Sequence, residues 1–381
     1  MKIGFVSRYD PDDRRTWSGT SYYTLQQLKR LGTVDHFHYP MPKLLQEWLT
    51  TQKSINRRWF GKHSSVEYLR SYARHFSRQL SRDLRNRPVD LLFVSASPQL
   101  IAYADTDIPV IYMSDATFQQ LQGYYPGFSN LATYNIRQGI ELDRLAYEKA
   151  THCMLASEWN KHSAVTDYGI APEKISVVPC GANLDPLPSP AKKPVPRPGS
   201  CRLLFLGVEW ERKGGAIALE TFRLLRRSGV EASLHIIGCV PPADLSGETG
   251  VSVTPFLDKS DPDQRERLDR IFQETDLLLL PTRAECAGIV FCEAAAYGVP
   301  SIATATGGVT DYVRNGINGY ALSAAAGASD YTERIRALLS DPSGFERLQV
   351  SSRDLFETTL SWDAWGRKFA QIAARCVSPE T

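Results

Sequence analysis

The stretch Glu285-Cys-Ala-Gly-Ile-Val-Phe-Cys-Glu293 follows the apolar run Asp276-Leu-Leu-Leu-Leu-Pro281, and that succession decides the fold. Four consecutive leucines without polar alternation predict a strand covered on both faces, as in a parallel sheet. Residues 282–287 read as a turn. From about Gly288 the pattern becomes helical and runs to Tyr297, with Gly298 as a stop and Pro300 just beyond. Glu285 then lies in the loop at the strand's carboxyl end, and Glu293 about a turn and a half into the helix. The N–H groups of Gly288, Ile289 and Val290 fall at the helix N-terminus. Ligands bind at this end of an open α/β sheet, and helix N-termini favour anions. Carboxylates accept hydrogen bonds from sugar and ribose hydroxyls. Taken alone, the two glutamates are better explained by a capping acid and a surface acid.

Outward from this stretch, short apolar runs alternate with helical patterns in both halves. In the first half the strands are expected at 2–7, 90–95, 110–113, 153–156 and 175–179, with helices near 20–31 and 159–168. A second series begins with a strand at 202–207, continues with a helix at 216–228 and strands at 233–238 and 251–255, and includes a helix at 262–274. Alternation of this kind predicts a doubly wound parallel sheet in each half, an α/β chain of two Rossmann-like domains facing a central cleft. Between them, residues 186–200 are rich in proline, fit neither helix nor inner strand, and read as the interdomain linker. The expected domains are 1–185 and 201–360. The amphipathic segment 361–375 is expected as a last helix, part of a 361–381 tail.

Length and composition fit this scheme. A chain of 381 residues is comfortable for two domains, each with its own core. A net charge of +2 gives no bulk attraction to nucleic acid, and no nucleic-acid partner is expected. Seven scattered cysteines, with no Cys-x-x-Cys, fit reduced thiols better than a disulfide framework or a zinc site. Residues 1–7 read as a strand, not a leader, and no apolar run approaches the roughly 20 residues that span a bilayer. A cytoplasmic protein is expected.

The Glu285 to Glu293 stretch continues into Gly298-Val-Pro-Ser-Ile-Ala-Thr304, Gly307-Gly-Val-Thr-Asp311 and Asn315-Gly-Ile-Asn-Gly319. This ordered set resembles the Glu-x7-Glu signature, diglycine turn and closing glycine turn of the retaining, GT-B-fold glycosyltransferases of family 4, which use nucleotide-sugar donors. The resemblance implies the GT-B fold, with the last helix crossing back onto the first domain from about Trp362. It also implies no cofactor and no metal, with front-face displacement in place of an enzymic nucleophile. The implied partners are a nucleotide-diphosphate sugar donor and a glycan, glycolipid or small-molecule acceptor. A sugar phosphorylase or synthase on the same fold, and a non-catalytic nucleotide- or glycan-binding protein, remain as alternatives.

Carried over residue by residue, the resemblance puts Glu293 on the ribose hydroxyls. Glu285 and the amides of Gly288, Ile289 and Val290 fall around the donor sugar and phosphate. In Gly207-Val-Glu-Trp-Glu-Arg-Lys-Gly-Gly215, Lys213 matches the Lys-Gly whose ammonium contacts the donor phosphates. The family usually has Arg directly after the first glycine; here Val208 stands there, and Arg212 is the expected substitute. Glu209 and Glu211 make the same segment nearly neutral, so a solvated turn is the competing reading. Pro255-Phe-Leu-Asp-Lys259 is the expected surrounding of the base, with Phe256 the donor-side residue named from it.

On the first domain, Trp17-Ser-Gly-Thr-Ser-Tyr22 precedes a helix, and Gly19 would allow close approach of backbone to the donor. In Met113-Ser-Asp-Ala-Thr-Phe118 the family's His-Asp becomes Ser114-Asp115, so sugar recognition departs from the usual pattern while Asp115 keeps an acceptor-side or catalytic role, with an ordinary solvated acid after a strand as the competing reading. Gly181, in Val178-Pro-Cys-Gly-Ala-Asn-Leu-Asp185, is expected in the cleft floor or in a structural turn. Segment 43–87 holds eleven Lys/Arg against three acids, interleaved with six aromatics. It predicts either docking to an anionic membrane or polyprenyl diphosphate, or a solvated helix face whose aromatics fill the core.

Overall fold

The computed structural model describes residues 1–41, 62–189 and 193–377. They fall into two compact units, Met1–Val178 with Gly366–Thr381, and Pro179–Trp365.

In the first unit six strands, β1 (Lys2–Ser7), β2 (Thr33–His38), β3 (Leu91–Ser95), β4 (Val110–Ser114), β5 (His152–Leu155) and β6 (Ile175–Val177), lie in the order β2-β1-β3-β4-β5-β6. Every pairing is parallel. The strands β3 and β4 are buried at all five positions, because helices cover both faces. Helix Arg70–Asn86 shows how the basic segment is used: Tyr72, Phe76, Leu80 and Leu84 enter the core, while Arg74, Arg78, Arg82 and Arg85 face solvent. Over 62–87 the solvated-face reading therefore accounts for the charges. The remainder of that expectation, including Trp48, Trp59 and Phe60, lies outside the described residues. Among the described residues no helix is long and apolar enough to cross a membrane.

The second unit repeats the plan with β7 (Ser200–Leu206), β8 (Glu231–Ile237), β9 (Val251–Thr254), β10 (Leu277–Leu280), β11 (Ser301–Thr304) and β12 (Gly319–Leu322). Their order is β12-β11-β10-β7-β8-β9, again wholly parallel. Counted within the unit, this is the doubly wound order in which the first and fourth strands are neighbours. The chain leaves β7 toward β8 and leaves β10 toward β11, so a crevice opens between the loops after β7 and β10. The leucine run is β10, with all four side chains fully buried.

Two boundaries differ from the sequence reading. The second unit begins at Pro179 and not after residue 185, because 180–183 is tied to its own body. Cys180 N–H donates to Tyr312 Oη (3.0 Å), Ala182 N–H to Leu360 O (3.1 Å), and Trp362 Nε1–H to Asn183 Oδ1 (2.8 Å). The proline-rich stretch is likewise held along this unit wherever it is described. Arg353 donates to Pro188 O (3.1 Å) and Gln349 to Pro194 O (3.2 Å), while Lys193 bonds the carbonyl of Phe272 (3.0 Å). The last helix, Trp362–Val377, starts in the second unit and passes to the first at Gly366. There Phe369 packs edge-on against Phe93 of β3, centroids 5.6 Å apart.

Candidate functional site

The loop after β7 is forced into one shape by its glycines. Gly214 adopts φ +76°, and a Cβ there would lie 1.9 Å from the carbonyl oxygen of Pro281, just past β10. The two strand-end loops at the switch point therefore touch through backbone. Thr282 Oγ1 and the Arg283 N–H both donate to the Arg212 carbonyl, at 3.2 and 2.7 Å. Lys213 is delivered by this arrangement onto Glu285: its ammonium donates to Oε2, with both side chains about nine-tenths buried.

Arg212 turns the other way. Its guanidinium forks onto Glu209 with two bonds of 3.0 Å and donates to Ala284 O at 2.9 Å, reaching Glu285 only at 3.9 Å. Glu209 is held below the ordinary carboxylate range by these hydrogen bonds. The expected twin cations are thus unequal. Lys213 meets the buried glutamate, whereas Arg212 clamps one loop to the other.

Glu293 sits in helix Ile289–Ala296 and is 2% exposed. Its Oε1 accepts from Lys259, in the loop after β9. Sequence reasoning placed Lys259 near the base but missed this pairing. The one available signal was chemical, since a carboxylate inside a helix of buried alanines and Cys292 needs a counter-charge. Phe256 is 64% exposed. At the helix N-terminus, the expectation of three open N–H groups is corrected for Ile289, whose N–H is taken by Ala287 O at 3.0 Å. Gly288 is required there by the ring of Phe291, 2.1 Å from where a Cβ would stand. Among the described residues no group of three or more His, Cys, Asp or Glu converges as for a metal.

A glycosyl transferases group 1 model matches residues 200–341, and a Glycosyltransferase Family 4 model matches residues 59–186. The chain belongs to glycosyltransferase family 4. It is 29% identical over 176 residues to the D-inositol 3-phosphate glycosyltransferase of Mycolicibacterium gilvum, covering 40% of this chain and 39% of that protein. The chain thus matches less than half the length of this relative. In fold it resembles the sucrose-phosphate synthase of Thermosynechococcus elongatus, at a TM-score of 0.68, 16% identity and 98% coverage of both chains. It also resembles Anabaena HepE, solved in complex with UDP and glucose, at a TM-score of 0.64, 14% identity and 98% and 99% coverage. These likenesses establish the GT-B fold.

The first unit of this family 4 chain carries the other expected residues. Asp115, just past β4, accepts from Trp17 Nε1–H at 3.3 Å. Trp17, Ser18 and Gly19 take φ of +46°, +54° and +88°, so two non-glycine residues hold left-handed backbone beside that carboxylate. Such strain costs about 1–3 kcal/mol per residue and clusters at functional sites. Ser114 points inward: its hydroxyl donates to Ala116 O at 2.6 Å and closes the turn that carries Asp115. A second charged group missed by sequence reasoning is the ion pair of Arg8 with Glu67. Gly181 is explained by packing, because a Cβ would lie 2.3 Å from Trp362 N. It belongs to the second unit, and the turn reading accounts for this glycine.

Proposed function

We propose that this protein is a retaining, metal-independent glycosyltransferase that moves a hexose from a nucleotide-diphosphate sugar to an acceptor hydroxyl of a glycan, glycolipid or small molecule. The observation that carries this reading is the buried Lys213–Glu285 pair at the switch point, with the buried carboxylate of Glu293 on the next helix. A buried cation at a strand end suits a diphosphate, and buried carboxylates suit sugar and ribose hydroxyls. Family membership supports the reading, as does the fold shared with HepE, which was solved with UDP and glucose.

In the proposed reaction the bond between the anomeric carbon and the diphosphate oxygen breaks, and the acceptor oxygen bonds to that carbon from the same face. The acceptor proton passes to the departing phosphate oxygen. Lys213 stabilises the negative charge building on the diphosphate, since a preorganised donor acts most strongly where charge develops. Glu285 fixes the Lys213 ammonium and accepts from a donor-sugar hydroxyl. Glu293 accepts from the ribose diol. Asp115 is assigned to the acceptor hydroxyl, and the strained turn at Trp17 and Ser18 holds its carboxylate in place.

The test is a thermal-shift panel of UDP-, GDP- and ADP-hexoses and their nucleoside diphosphates, with and without chelator. One nucleotide series should stabilise the wild type, chelator should make no difference, and Glu293→Ala should abolish the shift. A protein stabilised by none of them is not the proposed transferase.

A further inference from the structure

Lys259 reaches Glu293 across the second unit's switch point. It comes from the loop after β9, on the side of the sheet that β7 feeds, whereas Glu293 lies on the helix after β10. The two carriers are locked together. Asp258 accepts from Ser260 N–H (2.9 Å), and Asp261 caps helix Pro262–Glu274 through Asp263 N–H (2.9 Å) and Gln264 N–H (3.1 Å). That helix is stapled to the end of helix Ile289–Ala296 by Tyr297. Its ring stacks on Phe272 with centroids 4.9 Å apart, and its hydroxyl donates to Asp269 at 2.6 Å.

The pair is asymmetric in a way that matters for a ligand. Glu293 is almost wholly buried, while the Lys259 side chain is 36% exposed. Here the ammonium stays partly exposed, beside the helix that follows β10, one of the two strands at the switch point. A carboxylate has about four acceptor positions over its two oxygens, and Lys259 engages Oε1. We propose that Lys259 is a donor-positioning residue, which holds the Glu293 carboxylate oriented for the ribose diol of a nucleoside diphosphate. The inference rests on the nucleotide-sugar reading above and adds the residue that sets ribose recognition.

Calorimetric titration of the full chain with UDP, GDP and ADP and their 2′-deoxy forms tests it. Charge-assisted bonds to the diol should make the wild type favour its preferred ribonucleotide by about tenfold over the 2′-deoxy form. In Lys259→Met, which keeps the stem and loses the charge, the ratio should fall below about threefold, with Lys259→Arg restoring it. A Lys259→Met protein that keeps the wild-type ratio, whatever its melting temperature, overturns the proposal. So does a wild type that binds a nucleoside diphosphate without preferring the ribose form; the nucleotide reading then survives. A wild type that binds none of the six removes both.

Discussion

Lys213 and Glu285 lie on the two loops that leave neighbouring strands β7 and β10 in opposite directions, and their side chains meet as a buried ion pair. The pairing couples the proposed phosphate cation to the proposed sugar-binding acid. Substituting Glu285 with Gln keeps the volume and removes the charge. Turnover should fall by about 100-fold, while the dissociation constant for the nucleoside diphosphate stays within about threefold. Steady-state kinetics beside calorimetry checks this. An equal loss in both would move Glu285 from the sugar to the nucleotide.

Gly214 carries the junction between those loops. Alanine there would need left-handed backbone at φ +76° and would meet the Pro281 carbonyl. Gly214→Ala should cost at least about 1–3 kcal/mol in chemical denaturation and weaken donor binding, because Lys213 is the preceding residue. Gly229→Ala, also at positive φ but in open space, should lose stability without losing affinity.

Much of this was legible in the sequence, for reasons that differ by residue. The leucine run and the turn-to-helix pattern after it are local, and they placed Glu285 and Glu293 on their elements. Lys213 followed from the match to the family's Lys-Gly, since on its residues alone the segment read equally as a solvated turn. Arg212 did not, because adjacency in sequence says nothing of direction: one residue along the turn, the side chain faces Glu209 three positions back. The Lys259–Glu293 pair is a contact over 34 residues and leaves no local mark. Gly181 was read from a motif, but its reason is the backbone of Trp362, which no nearby sequence reveals.

Asp115 tests the first unit's share of the reaction. Asp115→Asn should lower kcat by about 100-fold with little change in nucleotide affinity, as expected of a group that orients the acceptor hydroxyl for attack. Trp17→Phe, which removes the indole N–H from Asp115, should give a smaller loss in the same parameter. Unchanged kcat in Asp115→Asn would return this residue to an ordinary turn acid.

Asp143 predicts a pH dependence of stability. Burial pushes its carboxyl up to about 7, against the lowering effect of the Phe118 N–H and Tyr168 hydroxyl bonds. A folded-state value above the unfolded one means that the native state binds the extra proton between about pH 4 and 7, so this group's contribution declines as pH rises through that window. Asp143→Asn should therefore gain on the wild type by about 1–3 kcal/mol between pH 5 and pH 8 in urea midpoints. A difference that stays constant with pH would show that Asp143 is ionised throughout.

The most direct test of the account is an end-point assay for release of the nucleoside diphosphate from UDP-, GDP- and ADP-hexoses, with chelator present and a mixed pool of sugar, inositol and lipid-linked acceptors. The wild type should release one nucleoside diphosphate at a rate raised by an acceptor, and Glu285→Ala and Lys213→Ala should remove the acceptor-dependent part. Release that is absent for every donor in both the presence and absence of added divalent metal, or unaffected by either substitution, would contradict it.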